Sequence, residues 1–290
     1  MGKIADLIQD GVKYDLSIAH RVCPALAKTA SHFAAKYDMV KATTSSLARA
    51  ISGLRVKLTV IFDGCPDEYE RLFEDAFGGG RMQGVDYFPV ATPSIGNAAT
   101  YAKQLEILSA DAAEAKFLYF SEDDYLYRED AFRAMMAFLQ DEGVDIVTPL
   151  DHPDAYQRDR EWTNAGRIRF SAHCHWREVA STCCTFMLKS ATMPRAFKSL
   201  SYYSKGGSDF VMGMLLTRKG MYSPRNVLGG ALRWLFGRPR NWMCAIPFLA
   251  WLKLGPRLLF APRFRLWSPM PTLAVHLCRP SLPPFAWEIE

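Results

Sequence analysis

The stretch FLYFSEDDYLY (117–127) runs apolar, stops at Glu122-Asp123-Asp124, and resumes with Tyr125, Leu126 and Tyr127. Its composition is that of a strand, so three acids stand at the end of a segment that reads as buried. Adjacent carboxylates repel, and burial sharpens the cost unless a cation or another partner offsets it. The competing reading is an acidic turn, solvated, that leads into a helix at Arg128. What lies at the other strand ends decides between the two.

Working outward, YDLSIAHRV (14–22), VKLTVIFDG (56–64), VDYFPV (85–90) and VDIVTPL (144–150) also read as strands, with AKFLYF (115–120) opening the quoted one. Between them fall helical patterns near Thr43–Ser52 and over CPDEYERLFEDAFGGG (65–80), NAATYAKQLEILSADA (97–112) and REDAFRAMMAFLQDEG (128–143). Strands alternating with helices predict an α/β fold with a mainly parallel sheet flanked by helices. Ligands of such sheets gather at the carboxyl ends of the strands. Those ends here carry His20-Arg21, Asp63-Gly64, Glu122-Asp123-Asp124 and Asp151-His152. Four polar strand ends around one prospective cleft point to a site, and hard carboxylate oxygens there suit Mg²⁺ or Mn²⁺ completed by substrate phosphates.

At 290 residues and 49% hydrophobic composition the chain can bury a large core, as one domain with an appendage. Its net charge of +5 conceals an asymmetry: from Phe210 to Trp287 there are eleven Arg and Lys and no acid. The seven cysteines (23, 65, 174, 183, 184, 244, 278) show no C-x-x-C spacing, and the start MGKIADLIQDGVKYD has no apolar core of a secretory signal. Reduced thiols and a cytoplasmic setting are the expectation. HCH (173–175) with Cys183-Cys184 nearby lacks two proper ligand pairs and reads as a polar strand rather than a zinc site.

In its order of motifs the chain resembles the nucleotide-sugar glycosyltransferases of GT-A fold, family 2 in particular. SEDDY resembles their DXD-type metal motif. LTVIFDGCPDEY precedes it and VTPLDHPDAY follows, as does HWREVASTCCTFMLKS (175–190) for the acceptor side. GGSDFVMGMLLTRKG (206–220) resembles the segment of the catalytic base, and PTLAVHLCRPSLPPFAWE (271–288) the closing stretch with its histidine. The resemblance spans 14–220 and 269–288 and departs at HRVCP, where a short PTYN-like turn is usual. It implies a metal-dependent, inverting sugar transfer, with Mn²⁺ or Mg²⁺ on Asp124, Asp123 and His276. It also implies a nucleotide-sugar donor, a UDP-sugar above all, met by Arg21, Asp63, Lys103 and Asp123.

By the same resemblance Asp209 is the general base, and Trp176 is the acceptor-side platform, since aromatic faces pack on sugar rings. Each has a plainer reading. Asp63 sits in an Asp-Gly turn, and Asp209 follows Ser208 at a helix start, where an acid favours the positive end. His276 inside TLAVHLC, Lys103 on a helix and Trp176 read equally as core or solvated residues. A sugar-1-phosphate nucleotidyltransferase is the second enzyme reading, although HRVCPALAKTA lacks a glycine-rich phosphate loop. A non-catalytic membrane scaffold is the third.

Residues 1–220 thus read as the catalytic domain, 221–268 as a basic, aromatic helical segment, and 269–290 as a return to the site. Within 226–267 the longest unbroken apolar run, WMCAIPFLAWL (242–252), is far short of the ~20 residues that span a bilayer. Tryptophans and arginines among leucines suit short helices lying on an anionic membrane. That places the protein on the inner face of the membrane, with a glycan or lipid-linked acceptor. A nucleic-acid partner is excluded by the high apolar content. A helical subdomain packed on the core is the alternative for this segment.

Overall fold

A computed structural model describes residues 12–25, 33–152, 164–219, 221–236, 246–255, 257–260 and 262–277. Its strands are β1 (Tyr14–Val22), β2 (Val56–Asp63), β3 (Val85–Thr92), β4 (Ala115–Glu122), β5 (Tyr125–Tyr127) and β6 (Ile146–Val147). Then follow β7 (Asn164–Phe170), β8 (His175–Val179), β9 (Phe186–Lys189), β10 (Leu266–Met270) and β11 (Ala274–His276). The helices are α1 (Lys36–Ile51), α2 (Asp67–Phe77), α3 (Asn97–Asp111), α4 (Ala131–Leu139), α5 (Met193–Leu200) and α6 (Asp209–Thr217). Three more complete the described chain, α7 (Pro224–Phe236), α8 (Ile246–Leu254) and α9 (Arg257–Phe260).

Among the described residues one sheet has the order β3-β2-β1-β4-β9-β6-β10-β8-β7. The four strands from β3 to β4 are parallel neighbours, as the alternating pattern predicts. Beyond β4 the pairing becomes mixed. β9 runs antiparallel to both β4 and β6, β10 is parallel to β6, and β8 and β7 are antiparallel additions. The segment read as a strand over 144–150 narrows to Ile146–Val147. Proline has no N–H for a ladder, and the Pro149 carbonyl instead accepts from the N–H groups of Leu273 and Ala274.

Strand alternation sorts the core into two layers. Leu16, Ile18 and Val22 of β1 meet α1, α2 and α4 through Val40, Leu47, Phe73, Phe132 and Phe138. On the opposite face Ala19, Leu118 and Phe120 meet Tyr101 and Leu105 of α3, Ala196 of α5 and Met212 of α6. The sheet is therefore buried on both faces, which explains the near-continuous apolar runs of β1, β2 and β4.

The stretch assigned to the appendage ends earlier than 268, because Leu266, Trp267 and Ser268 already lie in the central sheet. The five described cysteines are free thiols, while Cys244 and Cys278 fall outside the described residues. So do 153–156 of the VTPLDHPDAY motif, 278–288 of the closing stretch, and 242–245 of the apolar run.

Candidate active site

The acidic turn after β4 resolves into three carboxylates with three different partners. Glu122 stands in register with Arg21 of β1 on the α3 face of the sheet. Its Oε1 accepts from Arg21 Nη2 at 2.5 Å and its Oε2 from Thr185 Oγ1 at 3.0 Å. The next residue turns toward α1. Lys36 Nζ donates to Asp123 Oδ1 at 2.7 Å and the Cys23 N–H to Oδ2 at 2.9 Å. Thr43 Oγ1, further along α1, donates to the Asp123 carbonyl at 2.9 Å.

Asp124 then leads into β5. That strand pairs antiparallel with β11, matching Tyr125 with His276. The Leu277 N–H donates to the Asp124 carbonyl at 2.8 Å, and His276 Nε2 lies 3.1 Å from Asp124 Oδ2. The imidazole stacks on the Tyr125 ring, with centroids 4.7 Å apart and planes 13° from parallel. A two-stranded ladder between residues far apart in sequence is thus what brings the histidine to the acid.

Burial pushes the Asp123 carboxyl up to about 6; Lys36 opposes that shift and the neighbouring Asp124 charge adds to it. His20, beneath the turn, is driven the other way. Desolvation takes its imidazole down to about 3, with Lys36 and Arg21 adding to the effect and Asp124 opposing it. The ring is neutral at physiological pH. Its Nδ1 shares a hydrogen bond with Ser121 Oγ at 2.8 Å, and Ser121 Oγ in turn meets the Tyr127 hydroxyl at 3.2 Å.

Asp209 opens α6. Its Oδ1 accepts from the Phe210 N–H at 2.7 Å, so the carboxylate sits against the positive end of the helix, while Ser208 at the N-cap makes no side-chain capping bond. Desolvation and the charges of Asp209, Glu122 and Asp124 together push the Cys183 thiol up to about 12. The charges of residues from β4, the following turn and α6 are thus all felt at this one thiol.

Other expected site residues are occupied differently. Both oxygens of Asp63 hold the turn before α3: Thr92 Oγ1 and the Ile95 N–H donate to Oδ1 and the Gly96 N–H to Oδ2, at 2.9, 2.6 and 2.9 Å. The Arg21 guanidinium is engaged inside the protein, on Glu122 and on the Asn97 carbonyl, Asn97 Oδ1 and Thr100 Oγ1. Lys103 forms an ion pair with Glu106 on the outer face of α3. Trp176 corrects the platform reading. It is fully buried, stacked on Phe138 at 4.4 Å and 3°, and its indole N–H donates to Ser171 Oγ. No ring face is left for a sugar.

Sequence reasoning missed Lys36, Glu122 as the partner of Arg21, Thr185 and the neutral His20. A lysine at a helix start carries no signal that its ammonium will be buried. Their position at the ends of β1 and β4 was the available hint for His20 and Glu122.

Among the described residues no three His, Cys, Asp or Glu side chains form a metal-binding group. The donors that converge are two, the Asp124 carboxylate and the His276 imidazole. Such a pair fits a Mn²⁺ or Mg²⁺ that completes its shell with water and substrate phosphates, since these ions often use only one or two protein ligands. Asp123 does not fit, because an ammonium and a backbone N–H already occupy its oxygens.

No family model matches the chain, and no curated protein matches it. Among solved structures, S. aureus TarS is similar at 13% identity and a TM-score of 0.44, over 69% of this chain and 33% of that one. This chain thus spans about a third of the TarS chain. A galactosyltransferase, LgtC, solved with donor and acceptor sugar analogues, is similar at 12% identity and a TM-score of 0.43, over 91% of this chain and 87% of that one.

Proposed function

We propose that this chain is an inverting, metal-dependent glycosyltransferase that moves a sugar from a nucleoside diphosphate donor to a hydroxyl acceptor. The observation that carries the proposal is the convergence of Asp124 with His276 at 3.1 Å; the helix-anchored Asp209 supports it, since its charge and that of Asp124 both act on the Cys183 thiol. Sugar transfer from such a donor needs leaving-group charge neutralised, the acceptor hydroxyl deprotonated and both reactants held in line. Asp124 and His276 are the residues that would hold a divalent cation, which supplies charge neutralisation to the diphosphate.

Asp209 takes the proton of the acceptor hydroxyl as that oxygen bonds to the anomeric carbon. The bond from that carbon to the diphosphate breaks on the opposite side, inverting the configuration. The α6 N-terminus fixes the Asp209 carboxylate for this role. Asp63 shapes the nucleotide side through the 92–96 turn that it holds. The acceptor is a surface glycan or lipid-linked sugar, and the protein works as a peripheral protein on the cytoplasmic membrane face. Exposed apolar side chains on α7 support the last point.

A panel of nucleotide sugars, incubated with the protein and Mn²⁺ or a chelator, tests the reading. The expected result is nucleoside diphosphate release with one donor class, stopped by the chelator and lost in Asp124→Ala. Asp209→Asn should bind that donor as before while transfer falls at least ~100-fold, the lower range for losing an acid–base group. Absence of calorimetric binding to every donor in the panel, or unchanged turnover in Asp124→Ala, overturns the proposal.

A further inference from the structure

The acidic turn offers two adjacent aspartates, yet only one of them faces the histidine. Asp123 Oδ1 and Lys36 Nζ are 2.7 Å apart, and both side chains are nearly sealed from solvent, at 9% and 6% exposure. The remaining Asp123 oxygen is taken by the Cys23 N–H, and its carbonyl by Thr43. The acid and the carbonyl of this residue are thereby fixed to α1 and to the end of β1. Asp124, one residue on, is aligned with β11 and His276 instead.

We propose that Lys36 is a positioning residue that withdraws Asp123 from the cation site, leaving Asp124 and His276 as its protein ligands among the described residues. One carboxylate and one imidazole would then hold the ion, with the donor's diphosphate supplying further oxygens. Two consequences follow from charge alone. A dication beside Asp123 would stand next to the Lys36 ammonium and be repelled by it. Removing that ammonium, conversely, would release a buried carboxylate and so favour the added metal. Lys36 thus keeps resting affinity for the ion low, so that the ion is bound tightly only together with a donor's phosphates.

The inference rests on reading the turn as the cation-holding part of a transferase, but its test does not need turnover. Mn²⁺ binding, alone and with added pyrophosphate, is followed from the free-ion electron paramagnetic resonance signal on the full chain. With pyrophosphate present, Asp124→Asn and His276→Gln should each weaken binding at least ~10-fold, whereas Asp123→Asn should change it less than ~3-fold. Lys36→Gln should tighten binding of Mn²⁺ alone about 10-fold, a change opposite in sign to that of a merely structural loss. Lys36→Arg, which keeps the charge, should stay near the unmodified protein. If Lys36→Gln fails to fold, Asp123→Asn and Lys36→Arg carry the test.

Loss of binding in Asp123→Asn comparable to that in Asp124→Asn overturns the inference. So does unchanged or weaker binding in folded Lys36→Gln, or no Mn²⁺ binding by the unmodified protein under either condition. A protein that shows the expected Mn²⁺ pattern but releases no nucleoside diphosphate fails as a transferase while the two-ligand site stands. The converse result, turnover with Asp123 as a ligand, leaves the transferase and removes Lys36 from this role.

Discussion

Three carboxylates in sequence are tolerated here by meeting different partners: Arg21 for Glu122, Lys36 for Asp123 and His276 for Asp124. Glu122 closes β4 on the α3 face, whereas the turn at Asp123-Asp124 directs the next carboxylate to α1 and the third to β11. The imidazole beneath them is accommodated differently, by staying neutral. His20 has an ordinary value near 6.5 unfolded and about 3 folded, with desolvation as the main cause. A base whose folded value is depressed binds fewer protons than the unfolded chain between those two values, so stability falls as pH drops through that window. From pH 7 to pH 5 the loss attributable to His20 is about 2 kcal/mol, since each tenfold rise in proton concentration is worth about 1.4 kcal/mol once the unfolded imidazole is protonated. Urea denaturation of the unmodified protein and His20→Gln at both pH values checks this. The variant should lose about that much less on acidification, and equal losses would mean that the imidazole is protonated inside the fold.

Among the elements, α6 is the one on which the proposed chemistry depends, because Asp209, the proposed base, is its first residue. It is fixed at close range. A Cβ on Gly213 would come within 2.6 Å of the Ser181 Cα, and Thr217 Oγ1 donates to the Ala180 carbonyl at 2.8 Å. Gly213→Ala must therefore push α6 off this segment, at a cost of about 1–3 kcal/mol for overpacking. The expected kinetic result is a lower kcat with little change in donor KM, since Asp209 moves and the nucleotide side does not. Gly229→Ala in α7 meets nothing within 4 Å and serves as the comparison, with stability unchanged or raised. Equal behaviour of the two variants would dissociate the α6 contact from function.

The same scale shows what could be read beforehand. β1, β2 and β4, together with α3, are visible in the sequence because their periodicity is local and their burial is two-sided. The ladder of β5 with β11 was not visible, because its partners lie far apart in sequence and each is only three residues long. Trp176 was misread for a related reason. An indole fits a sugar platform or a core equally by type, and only its stacking on Phe138 and its hydrogen bond to Ser171 decide.

Over the whole molecule, charge and apolar exposure are concentrated toward the carboxyl end. α7 presents Leu228, Leu232, Leu235 and Phe236 at helical i, i+4, i+7 and i+8 spacing, each between 58% and 84% exposed. Leu252, Leu259 and Phe260 add exposed apolar area on α8 and α9, and no described helix is long and apolar enough to cross a membrane. These helices are not loosely hung, for Met214 and Leu215 of α6 pack with Met221 and with Ala250 of α8. A surface of this kind is stable in water only at a cost, and the stretch 224–260, with six basic and no acidic residues, would suit an anionic bilayer. Each leucine or phenylalanine withdrawn from water contributes roughly 1.5–3 kcal/mol, so replacing two should weaken partitioning about a hundredfold or more. Flotation with phosphatidylglycerol-containing vesicles is the measurement. The full chain should float and the double variant Leu232→Glu, Phe236→Glu should stay at the bottom, with weaker flotation of both on purely zwitterionic vesicles. Because neither side chain belongs to the acidic turn, Mn²⁺ binding should be unaffected in that variant. Equal flotation of the two proteins would assign the exposed face to something other than lipid and would remove the membrane from the proposed function while leaving the site intact.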